Sequence, residues 1–170
     1  RGLLFADAQQ TVNPKTLVDR YFNFLIANGG EFINAKATGL TAAGNTVILD
    51  GGEEVIADKV VIAAGAFSGR IRNAGMEAIP LETVRCYHVQ FKGRQSLLTR
   101  PVCWADAGFY ATPVDKGLRF AGTVEIAGLD KPANEQKINY LVSRAREMFA
   151  LEEQPQQTWL GFRPTLPDAL

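Results

Sequence analysis

Apolar residues recur at helical spacing near the start of the chain, between Asn13 and Gly29. Leu17, Tyr21 and Leu25 lie four apart, and Val18, Phe22 and Ile26 widen the stripe into one face of an amphipathic helix. Asn13 suits the N-cap, Pro14 the first helical position, and Gly29 the left-handed residue past the end. A strand is expected at about Glu31 to Ala37. The turn signals "AAGN" and "DGG" then separate two short runs, "TVILD" and "EVIAD", as in a β-meander.

"DKVVIAAGAFSGRI" has a different texture. Val60, Val61 and Ile62 form an unbroken apolar run, which predicts a strand buried on both faces. Small residues follow, Ala63, Ala64 and Gly65, and Ser68 is placed to cap a short helix through Ile71. Small residues after such a strand either let a ligand approach the backbone or allow close packing of helix on strand.

From Leu81 onward the pattern is antiparallel β. "LETVRCYHVQF", "RPVCWAD", "GFYATPV" and "LRFAGTVEI" are separated by "KGRQ", "DAG" and "DKG", the last two being tight-turn compositions. Helical period returns in "KPANEQKINYLVSRAREMFALEE", where Pro132 is expected to open a helix reaching Phe149. Ile138, Leu141, Val142, Ala145, Met148 and Phe149 line one face of it. "QQTWLGFR" reads as a last strand. The expected fold class is α+β: an antiparallel sheet with a packed helix, plus part of an α/β domain, the texture changing near Ile79–Pro80. Strand alternation puts Phe109, Ala111 and Pro113 toward the helix, and Tyr110, Thr112 and Val114 on the other side. Tyr110 is expected to face the cleft into which Arg163 also points.

Composition adds mainly exclusions. The 170 residues suffice for one domain, or a domain and part of another, and for a buried core. Lys and Arg total 18 and Asp and Glu total 18, so no electrostatic footprint for nucleic acid appears. No apolar run approaches the ~20 residues that span a bilayer. The two cysteines, Cys86 and Cys103, lack CxxC spacing, and one histidine does not make the usual zinc ligand sets. No P-loop, paired-carboxylate motif or Ser/His/Asp ordering supports hydrolytic or phosphoryl chemistry.

Charged and hydroxylated groups inside apolar strands are the chemical candidates. Arg163 leads, between Phe162 and Pro164, followed by Tyr110 in "GFYATP" and then Arg85, Tyr87 and His88 in "VRCYHV". A guanidinium keeps its charge, so Arg163 either points to solvent, pairs with Asp168 or Glu125, or meets an anionic ligand. An arginine beside a tyrosine is a natural carboxylate receptor, two parallel bonds from the fork and a third from the phenol. Tyr110 is otherwise a core aromatic with its hydroxyl at the surface, and His88, alternating with Tyr87, is otherwise a solvent-facing residue.

"VVIAAGAFSGRI", "PLETVRCYHV", "GFYATPV…LRFAGTVEIAG" and "WLGFRPTLPDAL" occur in the order seen in the flavin-dependent amine and D-amino acid oxidoreductases. The chain resembles that family over essentially its whole length, most closely the bacterial D-amino acid dehydrogenases. "GFRPTLPD" is the most specific segment. The resemblance implies FAD as cofactor and oxidation of the Cα–N bond of D-amino acids to imine and keto acid, with hydride transfer to flavin N5. Glycine, sarcosine or a 2-hydroxy acid are the alternative substrates.

Residue by residue, the resemblance assigns the substrate carboxylate to Arg163 and Tyr110, with His88 as a further substrate contact. It places Ala37, Ala63, Ala64 and Gly65 along the cofactor. "VRCYHV" departs from the more usual "ERGYHV", with Val84 and Cys86 in place of Glu and Gly. Residues 1–79 correspond to part of an FAD-binding domain, 80–155 to a substrate-binding antiparallel domain, and 156–170 to a strand returning toward the FAD domain. The family's opening G-x-G-x-x-G and closing Gly-rich segment are not in this sequence. The chain is therefore expected to be an internal piece that is inactive and binds FAD weakly or not at all by itself, a non-catalytic module being the other reading. Quinone or oxygen is the implied electron acceptor. The implied location is the cytoplasm, with peripheral attachment to the inner face of the membrane as the alternative.

Overall fold

The computed structural model describes residues 2–75 and 79–168. In chain order, helix α1 spans Pro14–Ala27 and a meander follows, β1 Ala37–Leu40, β2 Thr46–Leu49 and β3 Glu54–Ile56. A 3₁₀ turn at Gly65–Arg70 precedes the long strand β4, Glu82–Lys92. After it come β5 Val102–Trp104, β6 Phe109–Val114, β7 Gly117–Ile126, helix α2 Glu135–Phe149 and β8 Gln157–Thr165. The strands form two sheets, β1-β2-β3 and β5-β6-β7-β4-β8, and the fold class is α+β. The pairs β1–β2, β2–β3, β5–β6 and β6–β7 are antiparallel.

The chain divides into two compact units. The first comprises Arg1–Glu31, Tyr87–Thr123 and Asn134–Leu160; the second comprises Phe32–Cys86, Val124–Ala133 and Gly161–Leu170. β7 passes from one to the other just after Thr123, a non-glycine residue held at φ 50.

In the first unit, one face of the strands packs on α2. Tyr87, Val89 and Phe91 of β4, Phe109 and Ala111 of β6, and Leu118 and Phe120 of β7 are buried with Leu141 and Ala145 of the helix. Ile138, Val142, Met148 and Phe149 complete the contact. The helical stripe read from spacing is thus the buried one, and Phe109, Ala111 and Pro113 face inward as alternation requires. At the close approach of β7 to the β5–β6 turn, a side chain on Gly122 is not tolerated: its Cβ would stand 2.5 Å from the Gly108 carbonyl oxygen. The α2 cap is corrected by the structure. Asn134, not the Pro132 region, starts the helix, its side-chain oxygen accepting from Gln136 N at 3.0 Å. Pro132 lacks an N–H and lies before the cap, where Asn134 can satisfy an orphan donor.

Helix α1 has the ends expected of it. The Asn13 side chain accepts from Thr16 N at 3.0 Å, and Gly29 takes φ 83. Its apolar stripe, however, buries no residue among the described ones, and Tyr21 is 69% exposed.

In the second unit the meander forms as read, but it begins later. Residues 31–36 are exposed and lie outside any strand; pairing starts at Ala37 opposite Leu49, where Leu40, Thr46 and Leu49 turn inward. The expected strand at Val60–Ile62 does not form either, and Val61 is 85% exposed. A strand exists through hydrogen-bonded neighbours, and none of the described strands pairs with this run. Ser68 does not cap a helix. It lies buried inside the 3₁₀ turn, whose preceding residue, Ala64, makes no side-chain cap bond.

Candidate functional site

In the first unit, the sheet face away from α2 carries the unusual side chains. β6 alternates, so with Phe109 and Ala111 buried, Tyr110 lies 56% exposed on the opposite side. Its direct cross-strand partner is Cys103, a free and exposed thiol. The hydrogen bond with Cys103, then that neighbour's charge, raises the Tyr110 pKa above the usual phenol value. Tyr110 therefore keeps its proton at neutral pH and remains a hydrogen-bond donor.

His88 shares this side of β4, since Tyr87 and Val89 on either side of it are buried. Its ring stacks on Trp159 of β8, centroids 5.0 Å apart at an interplanar angle of 21°. Burial first, and then the Arg119 charge, lowers its pKa to about 4. Arg119 of β7 pairs with Thr112 and lies between buried Leu118 and Phe120, so it belongs to the same face. His88 is therefore neutral at pH 7, with one ring nitrogen donating and one accepting.

This shift has a definite sign for stability. An unfolded histidine takes up its proton near pH 6.5, whereas the folded ring stays neutral until about 4. Below 6.5 the unfolded state binds more protons, so stability should fall as pH drops from 6.5 to about 4 and level off beneath that. With part of the ring open to solvent, the loss is on the order of 1–2 kcal/mol. Denaturant midpoints measured across this range should show the slope, and His88→Gln should flatten it. An unchanged slope in the variant would assign the pH dependence to other groups. In Arg119→Met, an NMR titration should find the His88 pKa moved part of the way back toward 6.5, because burial, the larger cause, remains.

In the second unit, Arg163 is exposed on β8, and the ion pairs found among the described residues do not involve it. Glu125, one carboxylate considered for it, instead faces Arg85 at 3.8 Å. The buried arginine is therefore Arg85, fully excluded from solvent, with Nη2 donating to the Pro132 carbonyl at 2.9 Å. Arg85 is not accessible to a ligand. Tyr87 is also no ligand contact: it is 1% exposed, and its hydroxyl accepts from Asn134 N at 3.1 Å, next to the start of α2.

The residues assigned to the cofactor also lie in the second unit. Ala37 is half-buried at the start of β1; Ala63 and Gly65 are exposed and Ala64 is half-buried. Gly65 has φ 55 and open space where a Cβ would sit. No side chain larger than a methyl stands on residues 63–65, so an extended group can lie along this backbone. The open backbone at Gly65 leaves room for close approach by a cofactor.

The family model for "DAO: FAD dependent oxidoreductase" matches residues 1–170. This chain belongs to that family. Its cofactor is FAD. The chain is 34% identical over 177 residues to a D-amino-acid oxidase of Bradyrhizobium diazoefficiens, covering 99% of this chain and 42% of that relative. It is 31% identical over 121 residues to a glycine oxidase of Pseudomonas aeruginosa, covering 69% of this chain and 32% of the relative. The chain thus spans less than half the length of these curated relatives. Among solved structures, glycine oxidase from Geobacillus kaustophilus superposes with TM-score 0.68 at 21% identity, over 82% of this chain and 38% of that one. L-proline dehydrogenase from P. horikoshii gives TM-score 0.73 at 18% identity, over 91% and 44% respectively. These two likenesses establish the fold. Among the described residues, no helix is long and apolar enough to cross a membrane.

The sequence singles out Tyr110 and Arg163 as candidates but does not show what surrounds them. Cys103 opposite Tyr110 was accessible from the turn "DAG", which fixes the β5–β6 register. Trp159 against His88 was not, because β4 and β8 are adjacent only through the sheet order.

Proposed function

We propose that the whole protein oxidises D-amino acids at the Cα–N bond, with residues 1–79 contributing to the FAD-binding domain, 80–155 to the substrate domain, and 156–170 forming a strand that returns toward the FAD domain. The observation that carries this reading is Arg163: an exposed guanidinium within "GFRPT", without a carboxylate partner among the described residues. Its planar fork is matched to a carboxylate. The family resemblance gives Tyr110, an exposed phenol of the first unit, a donor role toward the substrate. The same resemblance makes His88, stacked on Trp159 in the first unit, a further substrate contact. Ala37, Ala63, Ala64 and Gly65 line the cofactor.

FAD when bound supplies the two-electron acceptor. The protein's own residues bind the carboxylate and orient Cα; this needs no strong protein base, and orientation is the main contribution asked of them. With the amine neutral, its ammonium proton having gone to solvent, loss of hydride from Cα leaves the protonated imino acid, which water converts to keto acid and ammonium. Reoxidation is assigned to oxygen or a quinone.

The 34% identity to a D-amino-acid oxidase supports this substrate class. Glycine as substrate is the second reading, favoured by the relative named as a glycine oxidase. Purified whole protein should show flavin absorbance that bleaches anaerobically with D-alanine, D-leucine or D-phenylalanine, and much more slowly with glycine and sarcosine. Bleaching by glycine alone would transfer the assignment to the second reading.

A further inference from the structure

Phe162 and Arg163 are consecutive residues of β8, so they leave the strand on opposite sides. Whatever holds Phe162 therefore sets the roll of the strand and the direction in which Arg163 is presented. Within the second unit, Phe162 is held from two directions. Phe67 meets it edge-on, ring centroids 5.6 Å apart at 71°. The Arg85 guanidinium stands 5.9 Å from its ring centroid. Each partner is itself anchored. Phe67 lies in the 3₁₀ turn directly after Ala63 and Ala64, under Arg70 at 5.7 Å. Arg70 gives two hydrogen bonds of 2.7 Å to the Asp130 carboxylate. Arg85 bonds the Pro132 carbonyl and faces Glu125.

Arg85 is an expensive way to fill this space. It is fully buried, its Nε and Nη1 find no hydrogen-bond partner, and Glu125 at 3.8 Å is beyond hydrogen-bond distance. A well-packed apolar residue would serve stability as well or better. What an apolar residue lacks is a rigid planar cation that lies against a ring and fixes it in one orientation.

We propose that Arg85 is a positioning residue. Acting through Phe162, it fixes the aim of Arg163, and the Phe162–Phe67 contact ties that aim to the turn that lines the cofactor. This rests on the reading of Arg163 as the carboxylate receptor. Asp130, Pro132 and Glu125 all lie in the segment from the end of β7 to α2, so one connection braces both arms of the network.

The test uses the whole flavoprotein, a D-amino acid, and the amide of the same amino acid, which lacks the carboxylate charge. Phe162→Leu removes the ring and retains an apolar side chain. KM for the D-amino acid should rise about 10-fold with a smaller fall in kcat, the signature of a misaimed clamp. Kinetics with the amide and flavin content should stay within about 2-fold of the parent, since neither uses the Arg163 fork. Combined with Arg163→Lys, Phe162→Leu should add little further. Arg85→Lys keeps the charge without the plane and should shift KM in the same direction; it carries the test if the leucine variant does not fold. Unchanged KM in Phe162→Leu and Arg85→Lys, while Arg163→Lys raises it, overturns the proposal and leaves the carboxylate reading standing. Equal damage with acid and amide also overturns it, as a purely structural effect. A silent Arg163→Lys overturns both.

Discussion

Arg163→Lys in the whole flavoprotein should lower kcat/KM for D-amino acids by roughly two orders of magnitude, with KM rising strongly and kcat falling. An ammonium keeps the positive charge, so attraction for the carboxylate survives. The loss is geometric: one point donor replaces a two-pronged fork, the carboxylate can swivel, and Cα moves away from the orientation needed for hydride loss. Flavin content should change little, because the cofactor-lining assignments Ala37 and Ala63 to Gly65 lie in other segments of the chain. Steady-state kinetics with absorbance at the flavin maximum checks both parts. Parent-like turnover by the lysine variant would remove Arg163 from the carboxylate role. Arg85 could not take its place, being fully buried.

Phe120→Ala should destabilise the protein by about 3–5 kcal/mol, the range for truncating a fully buried aromatic residue. Phe120 is 0% exposed and touches three other rings edge-on: Phe91 at 5.7 Å, Phe109 at 5.7 Å and Phe149 at 5.8 Å. Those rings come from β4, β6 and α2, so the cavity would open where sheet and helix meet. Phe120→Leu fills most of that volume and should cost much less. Denaturant unfolding, with the midpoint and slope compared, separates this loss from a change in the unfolded state. A loss below about 1 kcal/mol for the alanine variant would mean that the ring cluster is not the centre of the core.

The sequence-based expectations held where a local pattern carries its own physical cause. Asn13, Pro14 and Gly29 bound α1 because capping and left-handed backbone depend on a few adjacent residues. The α2 stripe was legible because 3.6-residue spacing puts Leu141 and Ala145 on one side, and period-2 alternation likewise separated Phe109 and Ala111 from Tyr110. Expectations failed where an element depends on neighbours distant in sequence. Val60–Ile62 has the composition of a buried strand, yet composition supplies no hydrogen-bond partner. The expected strand at Glu31–Ala37 fails for the same reason: pairing with β2 begins only at Ala37.

The candidate site divides in the same way. Arg163 and Tyr110 stand out in one dimension because a charge or a phenol inside an apolar strand is conspicuous wherever the strand goes. Family membership was likewise legible, through ordered segments ending in "GFRPTLPD". The environment of each residue was not. That Arg85 takes the buried position and Arg163 the exposed one, that Glu125 faces the former, and that His88 lies neutral against Trp159 all follow from which strands become neighbours. Burial and electrostatic shifts are sums over surrounding atoms, and those atoms come from segments far away along the chain, as Trp159 is from His88. Sequence alone therefore singled out which side chains are candidates for chemistry. Only the tertiary structure decided which of them keep their charge in water, because desolvation is a property of the assembled sheet.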